Sequence, residues 1–147
     1  MYKNIMVPTD GSALSRKAVR NAVRLGKEQK AKITAIYVSP PYTPVSGQAM
    51  AVVHFETEKT YTTRVNAIAR RVLGFVQEQA STAGVRCESI HASSDFPHQE
   101  IVRAAGRRKC DLVYMASHGR RGVSRLILGS EASKVLALSK VPVLIER

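Results

Sequence analysis

The chain has 147 residues, 44% of them hydrophobic and 23% charged, with a formal net charge of +12 and only two cysteines, Cys87 and Cys110. That length suits a single domain over residues 1–147 with a core of its own, and the two cysteines have neither the density of a disulfide scaffold nor the spacing of a zinc site. No apolar run is long enough to cross a bilayer, which excludes a helical membrane protein.

The start, "MYKNIMVPTDGS", lacks the long apolar region and small-residue cleavage site of a signal peptide, so the expectation is a cytoplasmic protein with reduced, buried thiols. A basic surface attracts nucleic acid, anionic membranes or phosphorylated ligands. The bases Arg16, Lys17, Arg20, Arg24 and Lys27, then Arg70 and Arg71, then Arg107, Arg108 and Lys109, recur where the outer faces of helices should lie. An aromatic content of 5%, without tryptophan and without basic and aromatic residues interleaved on a strand, argues against a nucleic-acid platform.

In chain order, "YKNIMVP" reads as a first strand ended by Pro8. A helix starting near Ser12 follows, with Leu14, Ala18, Ala22 and Leu25 on one face. "AKITAIYV" is the second strand, and the Pro, Gly and Ser-rich stretch from Ser39 to Val53 is a long loop of the kind that carries function. The second helix buries Val65, Ile68, Val72 and Phe75 and is closed by Gly84. "VRCESIHA" is the third strand, Ser94 or Asp95 caps a third helix with Pro97 in its first turn, and "CDLVYMAS" is the fourth strand. A helix over Gly129 to Ser139 and the strand "VPVLIE" complete the chain.

Strands alternating with helices imply parallel pairing through right-handed crossovers, hence a doubly wound α/β domain. Such a sheet binds ligands beyond the carboxyl ends of its strands, where the winding reverses. The loops to inspect are therefore "PTDGS" after strand one, the loop beyond Val38, and "MASHGRRGVSRLILGS" after strand four.

The last of these has the chemistry of an anion site. Gly119 and Gly122 allow positive φ and close approach, and Gly129-Ser130 open a helix whose free N–H groups suit a phosphate, with Ser130 as cap and hydroxyl donor. Arg120, Arg121 and Arg125 add positive charge. Neither G-x-x-x-x-G-K-[ST] nor G-x-G-x-x-G is present. Asp10 can serve as a turn residue or accept a hydrogen bond from an exocyclic amine or ribose hydroxyl.

From Tyr2 to Glu146 the chain resembles the universal stress proteins, through "IMVPTDGS", "DLVYMASHGRRG", "LILGSEASKVL" and "KVPVLIE". The ATP-binding branch of that family carries G-x2-G-x9-G-[ST]; here Gly119, nine residues and Gly129-Ser130 match, and Ala116 stands where the pattern has its first glycine. An alanine there is harmful if the backbone needs positive φ and nearly neutral if it is extended. The resemblance implies a Rossmann-like sheet of order 3-2-1-4-5 with helices on both faces, of the adenine nucleotide alpha hydrolase-like kind. It also implies ATP, with AMP as the alternative, accompanied by magnesium or manganese through the phosphates.

By that likeness Pro8, Thr9, Asp10 and Val38 lie at the adenine, Met115 and Ala116 along the ribose, and His118, Gly119, Arg120, Gly129, Ser130 and Glu131 around the phosphates. His54, His91 and His98 have no metal-site spacing and read as structural or exposed, and no carboxylate cluster suggests a protein-built metal cage. A Ser117-His118-Asp10 triad is formally possible, but neighbouring Ser and His rarely place Oγ on the ring nitrogen, so the protein is expected not to be an enzyme. The resemblance further implies a homodimer through Val141 to Ile145, where apolar Val141, Val143 and Ile145 form a sheet edge. A nucleotide-dependent regulatory protein with a further protein partner is the leading expectation. The alternative is a dimeric interaction protein whose nucleotide site is vestigial.

Overall fold

The computed structural model describes residues 1–44, 56–120 and 127–147. The Ser39 to Val53 loop lies mainly outside these residues, as do His54, Arg121, Gly122 and Arg125.

Five strands, β1 (Asn4–Pro8), β2 (Lys32–Ser39), β3 (Cys87–Ser93), β4 (Leu112–Ala116) and β5 (Val143–Glu146), alternate with four helices, α1 (Ala13–Gln29), α2 (Glu58–Ala83), α3 (Pro97–Arg107) and α4 (Ser130–Leu138). The strands form one parallel sheet in the order β3-β2-β1-β4-β5, as the sequence implies. Strand alternation splits the core in two. Ile5 and Val7 join Ile33, Ala35, Leu112 and Tyr114 under α1 and α2. Met6 joins Ile36, Val113 and Met115 under Ile101, Ala104 and Ala105 of α3 and Ala132 and Val135 of α4. Because β1 and β4 are covered on both faces, each is buried at all five positions, which is why β4, and β1 after Asn4, read as apolar runs.

The helix faces are broader than the sequence spacing suggests. On α1, Ala18 and Ala22 are buried with Ser15, Val19, Val23 and Gly26, while Leu14 and Leu25 are half-buried flanks. On α2, Val65 and Val72 are buried, but Ile68 faces a cleft and Phe75 lies beneath Arg16 and Arg20, whose guanidinium carbons are 4.3 and 5.3 Å from its ring centroid. Cys110 is buried and Cys87 only half-buried, contrary to the expectation for the latter; both are free, and burial pushes both thiols up to about 11.

Ser12 caps α1 by accepting from the Ser15 N–H, and Gly84 ends α2 at φ 72°, both as expected. The other two starts require correction. Neither Ser94 nor Asp95 caps α3: Phe96 holds that position, and Ser94 Oγ accepts from the Phe96 N–H at 3.0 Å. The cap comes from another helix, since Glu131 Oε2 on α4 accepts the His98 N–H at 2.9 Å and lies 3.0 Å from His98 Nδ1. Ser130 does not cap α4 either, because Gly129 is the cap residue and Ser130 is the first helical one.

The end of β5 is fastened to α1 through Glu146. Its carboxylate accepts from Asn21 Nδ2 and the Tyr114 hydroxyl, each at 2.8 Å, and pairs with Lys17 Nζ at 2.8 Å. Burial opposes its charge, but the hydrogen bonds from Asn21, Lys17 and Tyr114 and the Lys17 ammonium outweigh this and hold the carboxyl at about 2, against an ordinary value of 4.5. A depressed folded value means stability fully present above pH 4.5 and lost as the pH falls toward 2. Glu146→Gln is therefore expected to flatten the acid limb of the urea-denaturation profile over that window, and a limb as steep as wild type would contradict this role.

Candidate functional site

A cleft of about 860 Å³ opens beyond the carboxyl ends of β1, β2 and β4, where the winding reverses between β1 and β4. Each residue assigned above to the nucleotide, from Pro8 to Glu131, lines this cleft. Five wall residues not assigned to the site from the sequence, Ile36, Tyr37, Ile68, Ile101 and Ala132, add a largely apolar lining. Periodicity marked Ile68 as core because an apolar helix position against a cleft looks the same as one against a sheet.

Asp10 ties the first loop to the fourth. Gly11 takes φ 78°, which turns the chain so that Asp10 Oδ1 accepts the Ser12 N–H at 2.9 Å, while Oδ2 accepts the Arg120 N–H at 2.9 Å. Ahead of it, Thr9 donates its N–H to the Ile36 carbonyl and meets Ser15 Oγ at 2.6 Å through its hydroxyl. The carboxylate thus acts as a turn residue and a brace between loops, and it retains lone pairs directed at the cleft.

Gly119 does not use positive φ, contrary to expectation. It is needed for space: a Cβ there would stand 2.3 Å from Asp10 Oδ2. Gly129, with φ −61°, is likewise a matter of close approach, since a Cβ would lie 2.7 Å from the Ser117 carbonyl oxygen and 3.2 Å from His118 Cα. Its own N–H donates to that carbonyl at 2.7 Å, holding the start of α4 against the β4 loop.

The start of α4 is left electrophilic. Gly129 has no side chain to cap it, and the first helical bond runs from the Ser133 N–H to the Gly129 carbonyl. The N–H groups of Ser130, Glu131 and Ala132 therefore have no acceptor among the described residues, at a helix end carrying partial positive charge and bordering the cleft. The Glu131 carboxylate is directed to His98, so of Glu131 only the backbone is free for the cleft.

Ala116 is the last residue of β4, in strand conformation and paired with Glu146, so the freedom of a glycine is not required there. His118 is half-buried with Nδ1 3.1 Å from Ser117 Oγ, a contact rare between chain neighbours. Ser117 is buried to 4% exposure, and the Asp10 oxygens bond to Ser12 and Arg120. Among the described residues there is no group of three or more His, Cys, Asp or Glu side chains placed to hold a metal ion, and no helix long and apolar enough to cross a membrane.

The fold, with a cleft at its switch point, defines a doubly wound α/β domain, and comparison with known proteins gives the family. Residues 1–147 match the universal stress protein family, to which the chain belongs. It is 32% identical over 151 residues to universal stress protein YxiE of Bacillus subtilis, covering 100% of both chains. Among solved structures it is similar to MJ0577 of Methanocaldococcus jannaschii, with TM-score 0.80, 24% identity and 99% and 96% of the two chains covered. It is also similar to a universal stress protein solved in complex with cAMP, with TM-score 0.69, 25% identity and 98% and 95% coverage.

Proposed function

We propose that this protein binds an adenine nucleotide, ATP or AMP, in the cleft and acts as a regulatory protein of the stress response whose partner surface depends on occupancy. The observation that carries the reading is the uncapped start of α4, where the Ser130, Glu131 and Ala132 N–H groups border the cleft beside a glycine that no side chain can replace without collision. Phosphate supplies the acceptors these donors lack. The Ser130 hydroxyl and Arg120 add to the anion site, while Asp10, Val38 and the apolar wall receive the adenine and Met115 and Ala116 flank the ribose. Magnesium or manganese enters bound to the phosphates. The relative solved with cAMP supports an adenine ligand for this cleft.

On this reading the protein works by binding rather than turnover: among the described residues the one hydroxyl within reach of a cleft histidine, Ser117 Oγ at 3.1 Å from His118 Nδ1, is buried. Wild-type protein at about a hundred times the dissociation constant of MgATP gains roughly 2.7 kcal/mol of stability, a rise of several degrees in the thermal midpoint for a domain of this size. Asp10→Ala is expected to lose that rise. No rise in wild type at millimolar MgATP, in protein freed of co-purified nucleotide, would leave the vestigial-site reading in its place.

The partner copy is expected to dock on β5, at the sheet edge, where Leu144 is 38% exposed. Leu136 and Leu138 at the end of α4, which packs on β5, are 50% and 52% exposed. Val143→Pro removes a donor from that edge and should give a monomer by light scattering. An unchanged dimer would place the interface elsewhere.

A further inference from the structure

The first turns of α3 and α4 come together at one wall of the cleft, and neither is capped by its own sequence. Phe96 and Gly129 hold the cap positions, and neither makes a side-chain cap bond. One carboxylate stands between the two starts: Glu131, the second residue of α4 and the acidic residue of its first turn. An acid so placed ordinarily serves the free N–H groups and partial positive charge of its own helix. Here those groups are the N–H donors of Ser130, Glu131 and Ala132.

Glu131 does not serve them. Oε2 accepts the His98 N–H at 2.9 Å and stands 3.0 Å from His98 Nδ1, while Oε1 stands 3.5 Å from Lys134 Nζ. Among the described residues no bond to this carboxylate comes from the α4 backbone. A carboxylate only accepts, so Nδ1 is the ring nitrogen that carries the proton in this contact. His98 is buried, at 8% exposure, with Phe96 set edge-on to its ring at 6.2 Å between centroids, so the group that holds the acid is itself held. Lys134 is a weak second hold, because its ammonium is 3.5 Å away on a side chain 52% exposed.

We propose that His98 is a positioning residue of the phosphate site: it draws Glu131 onto α3 and so keeps a tethered carboxylate from taking the α4 N–H groups in place of phosphate. The proposal rests on the reading of the cleft as a nucleotide site. Two effects make the restraint matter. A carboxylate on the same helix competes for those donors at the high effective concentration of an intramolecular ligand. Its charge, brought to the helix start, also repels the phosphate oxygens that must approach it. His98 acts through Glu131 alone, since Pro97 and Glu131 line the cleft and His98 does not.

The test is calorimetric titration of the full chain as wild type, His98→Ala, Glu131→Gln and the double variant, with MgATP and with adenosine, after urea denaturation has shown each to be folded. His98→Ala is expected to weaken MgATP about tenfold, as the released Glu131 occupies the donors, and to change adenosine affinity less than about twofold. Glu131→Gln alone should tighten MgATP about threefold, and in the His98→Ala background it should recover the lost affinity. His98→Asn, which keeps a donor near the place of Nδ1, should recover it too. A structural role alone predicts no recovery on removing the carboxylate.

An MgATP affinity unchanged by His98→Ala, a loss that Glu131→Gln fails to restore, or an equal loss for adenosine would overturn the proposal while leaving the nucleotide reading in place. Where His98→Ala does not fold, Glu131→Gln decides alone, and weaker MgATP binding by it overturns the proposal. No MgATP binding by wild type would overturn both.

Discussion

Gly119→Ala is expected to abolish stabilisation by MgATP and to lower the stability of the free protein by about 1–3 kcal/mol. The added methyl would stand 2.3 Å from Asp10 Oδ2 and 3.3 Å from its carboxyl carbon, well inside contact distance. The carboxylate cannot swing aside at no cost, because one oxygen holds the Ser12 N–H and the other the Arg120 N–H, each at 2.9 Å. Moving it opens the turn before α1 and releases the β4 loop together, so the cleft loses its shape at both walls. Since Gly119 does not have positive φ, the effect comes from volume alone, and alanine, the smallest addition, suffices. Urea denaturation with and without nucleotide measures both halves; wild-type nucleotide affinity in this variant would contradict the close packing of the two loops.

Gly129→Ala is expected to have an effect of similar size by a different route. Its Cβ would lie 2.7 Å from the Ser117 carbonyl oxygen, a backbone atom that also accepts the Gly129 N–H, and 3.2 Å from His118 Cα. Ser117 is itself fixed, its N–H bonded to the Glu146 carbonyl at 2.8 Å. The start of α4 must then tilt away, withdrawing the Ser130 and Glu131 N–H groups and loosening the bond from Glu131 to His98. Overpacking of this kind costs about 1–3 kcal/mol, and nucleotide affinity should fall at least ~10-fold as the donors leave register. A variant with native stability that still binds nucleotide would show that α4 has room to shift.

Both glycines were legible in the sequence as site residues, but for an incomplete reason. Spacing shows that a glycine is present, while whether it supplies a dihedral angle or an absence of volume depends on what faces it, and Asp10 is more than a hundred positions from Gly119. The glycine of the first loop that does supply a dihedral angle is Gly11, within the quoted "PTDGS". The sheet was readable because β4, and β1 apart from Asn4, are apolar, and α1 and α2 carry an apolar face at regular spacing. The starts of α3 and α4 were misread because their caps are tertiary: Glu131 serves α3 from another helix, and Gly129 is pinned by a strand end. Ala116 could only be posed as a condition, and its place in β4 answers the backbone half of the question.

The central claim, that the start of α4 cradles nucleotide phosphates, is tested most directly by following backbone amide shifts while MgATP is titrated into the wild-type protein. Nucleotide seated as proposed moves the amides of Gly119, Arg120, Ser130, Glu131 and Ala132 most, with smaller shifts at Asp10 and Val38. Amides at the start of α4 that stay fixed at saturating MgATP, or shifts centred at the far end of the sheet, would contradict it.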